Sequence, residues 1–259
     1  HINLPSGGNY GGAIEFNMAN MVEVYALTAA DEIYITNPDA LISGASIERI
    51  ITSCCPSVKD VKNLPIQDVD TICLASKKLS YGPNIIMKGK CSECGHEQDF
   101  NINIDYIFSK SKKLPDEMVC EVDDLKIYLR PYSLEIANYI AAKEFEENKL
   151  IEYIQNSDIT ENDKTTQFFS SLEKIQILNL NTNQECIIRI KLPDGEDVVD
   201  KTFIKEFIEN APLKTTKSII NKIKEFNNYG LPKEINSPCS ECGHEEILPS
   251  VYDPTSFFD

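Results

Sequence analysis

The sequence predicts an α+β protein: a small antiparallel β core with an N-terminal hairpin and helices, interrupted by an inserted, mainly α-helical domain. Three observations lead there. Short alternating segments cluster in the first 130 or so residues, and helix-period segments dominate from Ser133 to Tyr229. The stretch CSECGHE then occurs twice, at Cys91–Glu97 and Cys239–Glu245, one copy on each side of the helical block. At 259 residues the chain is long enough for one large domain or two modest ones with proper cores.

The opening HINLPSGGNYGG carries four glycines and few apolar side chains, so it reads as an arm without regular structure unless a partner orders it. Ala13–Phe16 and Met21–Leu27 alternate as two strands around a turn at Met18, Ala19 and Asn20, and Thr28 then caps a short helix bearing Asp31 and Glu32. Pro38 and Gly44 punctuate the next segment. Ile47, Ile50, Ile51 and Cys54 lie on one helical face that Pro56 stops, and a second helix begins near Pro65, buries Val69, Ile72 and Cys73, and ends with Lys77 and Lys78 before Gly82. Cys54, Cys55, Cys73 and Cys120 read as small core hydrophobes.

Asn84–Lys88 and Phe100–Ile104 are strands entering and leaving the first CSECGHE, which places it at a hairpin tip. Met118–Val122 and Leu125–Leu129 are further strands. Ser133 caps a long helix running to about Ile154 with an acidic EFEENK middle. Three more helices come after it, burying in turn Phe168, Leu172 and Ile175; Phe203, Ile204, Phe207 and Ile208; and Ile219, Ile223 and Phe226. Between the first two of these, Cys186–Ile190 with Pro193, Asp194 and Gly195 is either a short strand and turn or a linker. The predicted domains are 1–132, with the first knuckle; 133–230, the helical insertion; and 231–259, the second knuckle and a tail ending in Phe257 and Phe258.

Forty-one Asp and Glu against 25 Lys and Arg give a formal charge of −16, the reverse of the basic footprint that phosphate contacts require, so nucleic acid is not the expected partner. No apolar run approaches a membrane span, and no basic region followed by an apolar block opens the chain. Nine cysteines, an odd number in a chain of this size, fit a reducing compartment better than a disulfide framework. No Gly-rich phosphate loop, GxSxG or HExxH is present, and PDGED at Pro193–Asp197 is an acidic turn rather than a calcium loop. The expectation is a protein that is not an enzyme, although polar residues that converge only in three dimensions leave no motif to find.

Each CSECGHE supplies Cys-x-x-Cys-Gly, half of a tetrahedral metal site. Together the copies offer Cys91, Cys94, Cys239 and Cys242, the closed four-thiolate set of structural zinc, which leaves no open position for catalytic water. The 144-residue spacer between the pairs far exceeds the roughly 15 to 20 residues of the usual signature. The identity of the copies nevertheless favours one zinc ribbon with its knuckles separated by an insertion. Iron would suit the same cage, and a redox Cys-x-x-Cys would need a helix N-terminus. Two separate sites using His96 and His244 would be cramped and each short of a ligand, so the histidines are placed outside the metal set.

The order of LPSGG at Leu4–Gly8, VEVYALTAADE at Val22–Glu32, KKLSYG at Lys77–Gly82, a CxxCG knuckle and a DPTSFF tail resembles the baseplate hub and hub-assembly family of T4-like contractile-tailed phages. The resemblance covers the first 110 or so residues best and resumes at the second knuckle. It implies a virion or assembly protein, found in the tail baseplate and in the host cytoplasm during assembly. Such a protein docks to other phage tail and baseplate hub proteins without a catalytic step, as component or as chaperone. A zinc-ribbon adaptor for nucleic acid or a polymerase is the alternative. It requires a basic face around the knuckles, where Glu93, Glu97, Asp99, Glu241, Glu245 and Glu246 stand instead.

Overall fold

A computed structural model describes residues 1–35, 44–156 and 160–249, apart from the side chains of 161 and 179. Pro38 and the DPTSFF tail with Phe257 and Phe258 lie outside the described residues. The chain forms two compact units, one made of His1–Asp116 together with the chain from Phe226 onward, the other of Glu117–Glu225. These divisions fall at different points from those read in the sequence, at 132/133 and 230/231.

In the first unit the glycine-rich arm is not loose. Leu4, Ser6 and Tyr10 are buried, and the Ser6 N–H and hydroxyl both donate to the buried Asp68 carboxylate, the N–H at 2.9 Å. The predicted hairpin also differs. Val22 bridges Ile2, and Ile14 bridges Val58, instead of the two segments pairing with each other. The cause is local: the Asn17 side chain accepts from the N–H groups of Ala19 and Met21 at 2.9 and 3.0 Å, and Asn20 takes a left-handed φ of 57°. This closes a tight Asx loop in place of a ladder.

Helix α1 (Ala29–Ile35) starts as predicted at Thr28. The Thr28 N–H donates to the Asp31 carboxylate at 3.0 Å and the Asp31 N–H to the Thr28 hydroxyl at 3.3 Å, a reciprocal capping pair. Asp31 also accepts from Ser53 at 2.7 Å and Arg49 at 2.9 Å on α2 (Ala45–Cys54), joining the two helices. Cys54, Cys55 and Cys73 are buried among apolar side chains, and α3 (Ile66–Tyr81) carries Val69, Ile72, Cys73 and Leu74 into the interior.

Strands β1 (Asn84–Lys90) and β2 (Glu97–Asn103) form an antiparallel hairpin. The Asn103 side chain accepts from the N–H groups of Asp105 and Tyr106, so the strand stops there and Ile104 opens helix α4 (Ile104–Ser109). Far along the chain, β7 (Glu234–Pro238) and β8 (Glu245–Pro249) form a second hairpin. Among the described residues each hairpin is a separate two-stranded sheet. Phe100 and Ile102 from β2 and Ile235 and Leu248 from β7 and β8 share one core cluster with Leu74 and Ile107, so the hairpins are joined through side chains rather than through a ladder.

The second unit is mainly helical, as expected, and it also contains a four-stranded antiparallel sheet. Strands β3 (Met118–Val122) and β4 (Leu125–Leu129) form where predicted, but they pair onward to β5 (Ile187–Lys191) and β6 (Asp197–Val198) in the order β3-β4-β5-β6. Ile127 lies opposite Ile190 and both are buried, so β4 can bury its apolar face only in company with β5. The unit also holds α5 (Leu134–Asn156), α6 (Glu161–Glu185), α7 (Lys201–Asn210) and α8 (Leu213–Glu225). Ile204, Ile208, Ile219 and Ile223 are buried as expected. Phe203 is exposed, and on α6 Ser171, Leu178 and Thr182 are buried while Phe168, Leu172 and Ile175 are only half-buried.

Candidate metal centre

Each hairpin delivers its knuckle in the same way. The last ladder pairs, Lys90 opposite Glu97 and Pro238 opposite Glu245, leave six residues to turn the chain in each copy. In the first, the Cys91 N–H donates to the His96 carbonyl at 2.9 Å and the Gly95 N–H to the Cys91 carbonyl at 3.0 Å; in the second, Cys239 to His244 is 2.8 Å and Gly243 to Cys239 is 2.9 Å. Gly95 and Gly243 sit at φ 74° and 73°. An added Cβ would meet only the end of the Lys90 side chain in one and open space in the other. Backbone conformation, not crowding, therefore calls for glycine here.

The four sulfurs converge. All lie within 4.8 Å of one another, with Cys91 to Cys242 and Cys94 to Cys239 both at 3.7 Å. A disulfide needs about 2.05 Å, so these are four thiols. A tetrahedron of metal–sulfur bonds of about 2.3 Å has edges of about 3.8 Å, so the set fits such an ion. The surroundings act on the Cys239 and Cys94 thiols in opposite senses. The backbone N–H groups of Cys242 and Glu241 pull the Cys239 thiol down to about 7. At Cys94 the N–H of His96 acts in the same direction, but burial and the neighbouring sulfurs outweigh it and push the thiol up to about 12. A divalent cation removes that conflict by stabilising every thiolate at once.

A crossed pair of clamps holds the knuckles together. Ser92, between the first two cysteines, donates from its N–H and its hydroxyl to the Glu246 carboxylate, both at 2.9 Å. Ser240, its counterpart, donates likewise to the Gln98 side-chain carbonyl at 2.8 and 2.6 Å. Gln98 and Glu246 each stand seven residues after the first cysteine of their copy, so each half grips the other at matching positions. Sequence reasoning gave these four residues no part in joining the knuckles, Glu246 entering only as an acidic neighbour. The signal was there, in the repeated serine and in an acceptor-bearing side chain just past each motif. His244 Nε2 lies 3.3 Å from the Ser92 hydroxyl and 4.0 Å from Glu246, supporting the clamp, and neither histidine belongs to the sulfur group.

The family model described as T4 bacteriophage base plate protein matches residues 1–259, the whole chain. The chain belongs to this base plate family. No curated protein and no solved structure matches it. The base plate match runs unbroken through Glu117–Glu225, a region the N-terminal resemblance did not reach. Membership gives the protein a structural role in a phage base plate, with other tail proteins as partners. Among the described residues of this base plate protein no helix is long and apolar enough to cross a membrane.

Proposed function

We propose that this base plate protein docks to other proteins at the hub of a contractile tail, and that Cys91, Cys94, Cys239 and Cys242 hold one structural zinc ion. The observation that carries the metal reading is the convergence of two knuckles 148 positions apart onto one tetrahedron-sized set of sulfurs. A metal there cross-links the chain on either side of the second unit. By analogy with a disulfide closing a loop of more than about 100 residues, that restraint on the unfolded chain is worth roughly 4–5 kcal/mol. The nucleic-acid adaptor reading draws no support from the knuckles, where Glu93, Glu97, Asp99, Glu241 and Glu245 are exposed.

Purified protein is expected to contain about one zinc per chain by elemental analysis, and both chelation and Cys239→Ser to lower Tm by more than about 10 °C. Metal-free protein of unchanged stability sinks the zinc reading. Affinity capture from infected cells at successive assembly stages, with mass spectrometry of mature tails, tests the hub: retention marks a component, and loss after assembly marks a chaperone.

A further inference from the structure

The acidic turn at Pro193–Asp197 borders a feature that the metal centre does not explain. Within the second unit, the apolar face of the sheet and helix α7 do not close on each other. Leu125, Ile190 and Val198 form the floor and Phe203 and Phe207 the wall of a groove of about 540 Å³. Phe203 is 62% exposed and Val199 at its lip 63%, so large apolar groups face solvent beside an accessible cavity. Glu196, Asp197 and Asp200 line the same groove, with exposed Asp194 next to them in the chain. Nearby, Arg189 pairs with Asp197 at 3.3 Å, Lys201 with Glu185 at 3.2 Å and Lys205 with Glu209 at 3.8 Å, and Lys191 stands opposite Asp197 in the ladder, so the acidic surplus of the rim rests on Glu196, Asp200 and Asp194.

From this we infer that the groove is a docking site for a basic amphipathic helix of another protein, its apolar side chains seated on Phe203 and Phe207 and its Lys or Arg residues facing the acidic rim. Strand addition is the weaker alternative because the edge strand β6 has only two residues and offers few backbone groups. Side chains entering the groove must supply the affinity, which a helix does with residues spaced i, i+3, i+4 and i+7. The acidic rim selects the sign of charge. This inference rests on the proposed docking role and is independent of the metal, so its failure leaves the zinc and tail-capture measurements intact.

The test uses the full-length protein and three synthetic peptides: an amphipathic Leu/Lys helix, a scrambled peptide of the same composition, and a Leu/Glu helix. Fluorescence anisotropy is expected to show the Leu/Lys helix binding with Kd on the order of 10 µM and the other two at least about tenfold weaker. Phe203→Gln should weaken the Leu/Lys helix about tenfold, and Glu196→Gln about threefold with a shallower salt dependence. If Phe203→Gln alters the fold by circular dichroism, Val199→Gln at the exposed lip is the substitute and should weaken binding in the same sense. Equal binding of the scrambled or acidic peptide overturns the inference, as does binding unchanged by Phe203→Gln or its substitute. A wild-type dimer in sedimentation velocity that Phe203→Gln dissociates also overturns it, by assigning the groove to a second copy of this chain.

Discussion

Asp68 shows how a single buried carboxyl ties the arm to the body and sets a pH dependence. Burial raises it to about 6, against the pull of the Ser6 hydrogen bonds, while an unfolded Asp titrates near 3.8. A raised folded pKa means that the folded state binds the extra proton. Its contribution to stability is therefore greatest below about 3.8 and is lost as pH rises through about 6. Asp70, also raised to about 6 by burial despite Lys233 at 3.7 Å, acts in the same sense. Asp31 acts oppositely: burial opposes ionisation, but the bonds from Thr28, Ser53 and Arg49 win and hold it at about 2, so its contribution is lost only as pH falls from about 3.8 through about 2. Asn copies the protonated acid, and Asp68→Asn should raise stability at pH 7 by roughly 2–3 kcal/mol and at pH 4 by only about 0.5 kcal/mol, read by thermal melts at both values. Glycines offer a second comparison at this scale. Gly230, at φ 77°, would put a Cβ 2.8 Å from Gln67, whereas Gly243 at φ 73° faces open space. Gly230→Ala should cost about 2–3 kcal/mol and Gly243→Ala about 1 kcal/mol; equal losses in Tm would refute the crowding argument. Gly243 was legible from its place in the repeat. Gly230 was not, because Gln67 is distant in sequence.

At the scale of the element, the two hairpins behave as halves of a pseudo-symmetric pair. The equivalent residues Phe100 and Leu248 are both buried in the shared cluster, and Gly89 makes room for them, since a Cβ there would lie 3.1 Å from Phe100 and 3.9 Å from Leu248. The crossed clamps add polar complementarity to that packing. Ser240→Ala removes one exposed hydroxyl bond and should cost about 0.5–1 kcal/mol. Gln98→Ala removes the acceptor for both Ser240 donors and should cost about 1–2 kcal/mol, with faster loss of the proposed zinc to a chelator. Indistinguishable variants would show that the clamp is ornamental. Strands β3 and β4 and helix α3 were legible because their apolar periods are regular. The N-terminal hairpin was misread because alternation alone does not say which partner a strand takes, and the Asn17 side chain diverts the backbone from the obvious one.

Across the whole molecule, the first unit is assembled from both ends of the chain. Lys112 and Gly230 exchange backbone hydrogen bonds of 2.9 and 2.8 Å, and the Gln67 amide donates to the Phe226 carbonyl at 3.0 Å. The chain thus leaves and re-enters the unit within a few residues of a closed backbone pair. Replacing Glu117–Glu225 with a short Gly-Ser linker should leave a folded first unit that holds the proposed zinc, checked by circular dichroism and elemental analysis. An unfolded or metal-free product would show that the two units depend on each other. The same excision should abolish binding of the Leu/Lys helix, since the whole groove goes with the second unit.

The amino-acid sequence by itself determined the candidate metal set: four identical-context cysteines in two knuckles, the glycine each turn demands, and the exclusion of the histidines follow from residue types and local spacing. It also determined most helices and strands, whose periodicity is local information. Only the tertiary structure decided that β3 and β4 belong with β5, that the glycine-rich arm is bound through Ser6 to Asp68, and that Ser92 and Ser240 grip the opposite knuckle. Each of these joins residues separated by about 60 to 150 positions, and their pairing depends on which apolar faces and buried charges must be satisfied together when the chain collapses.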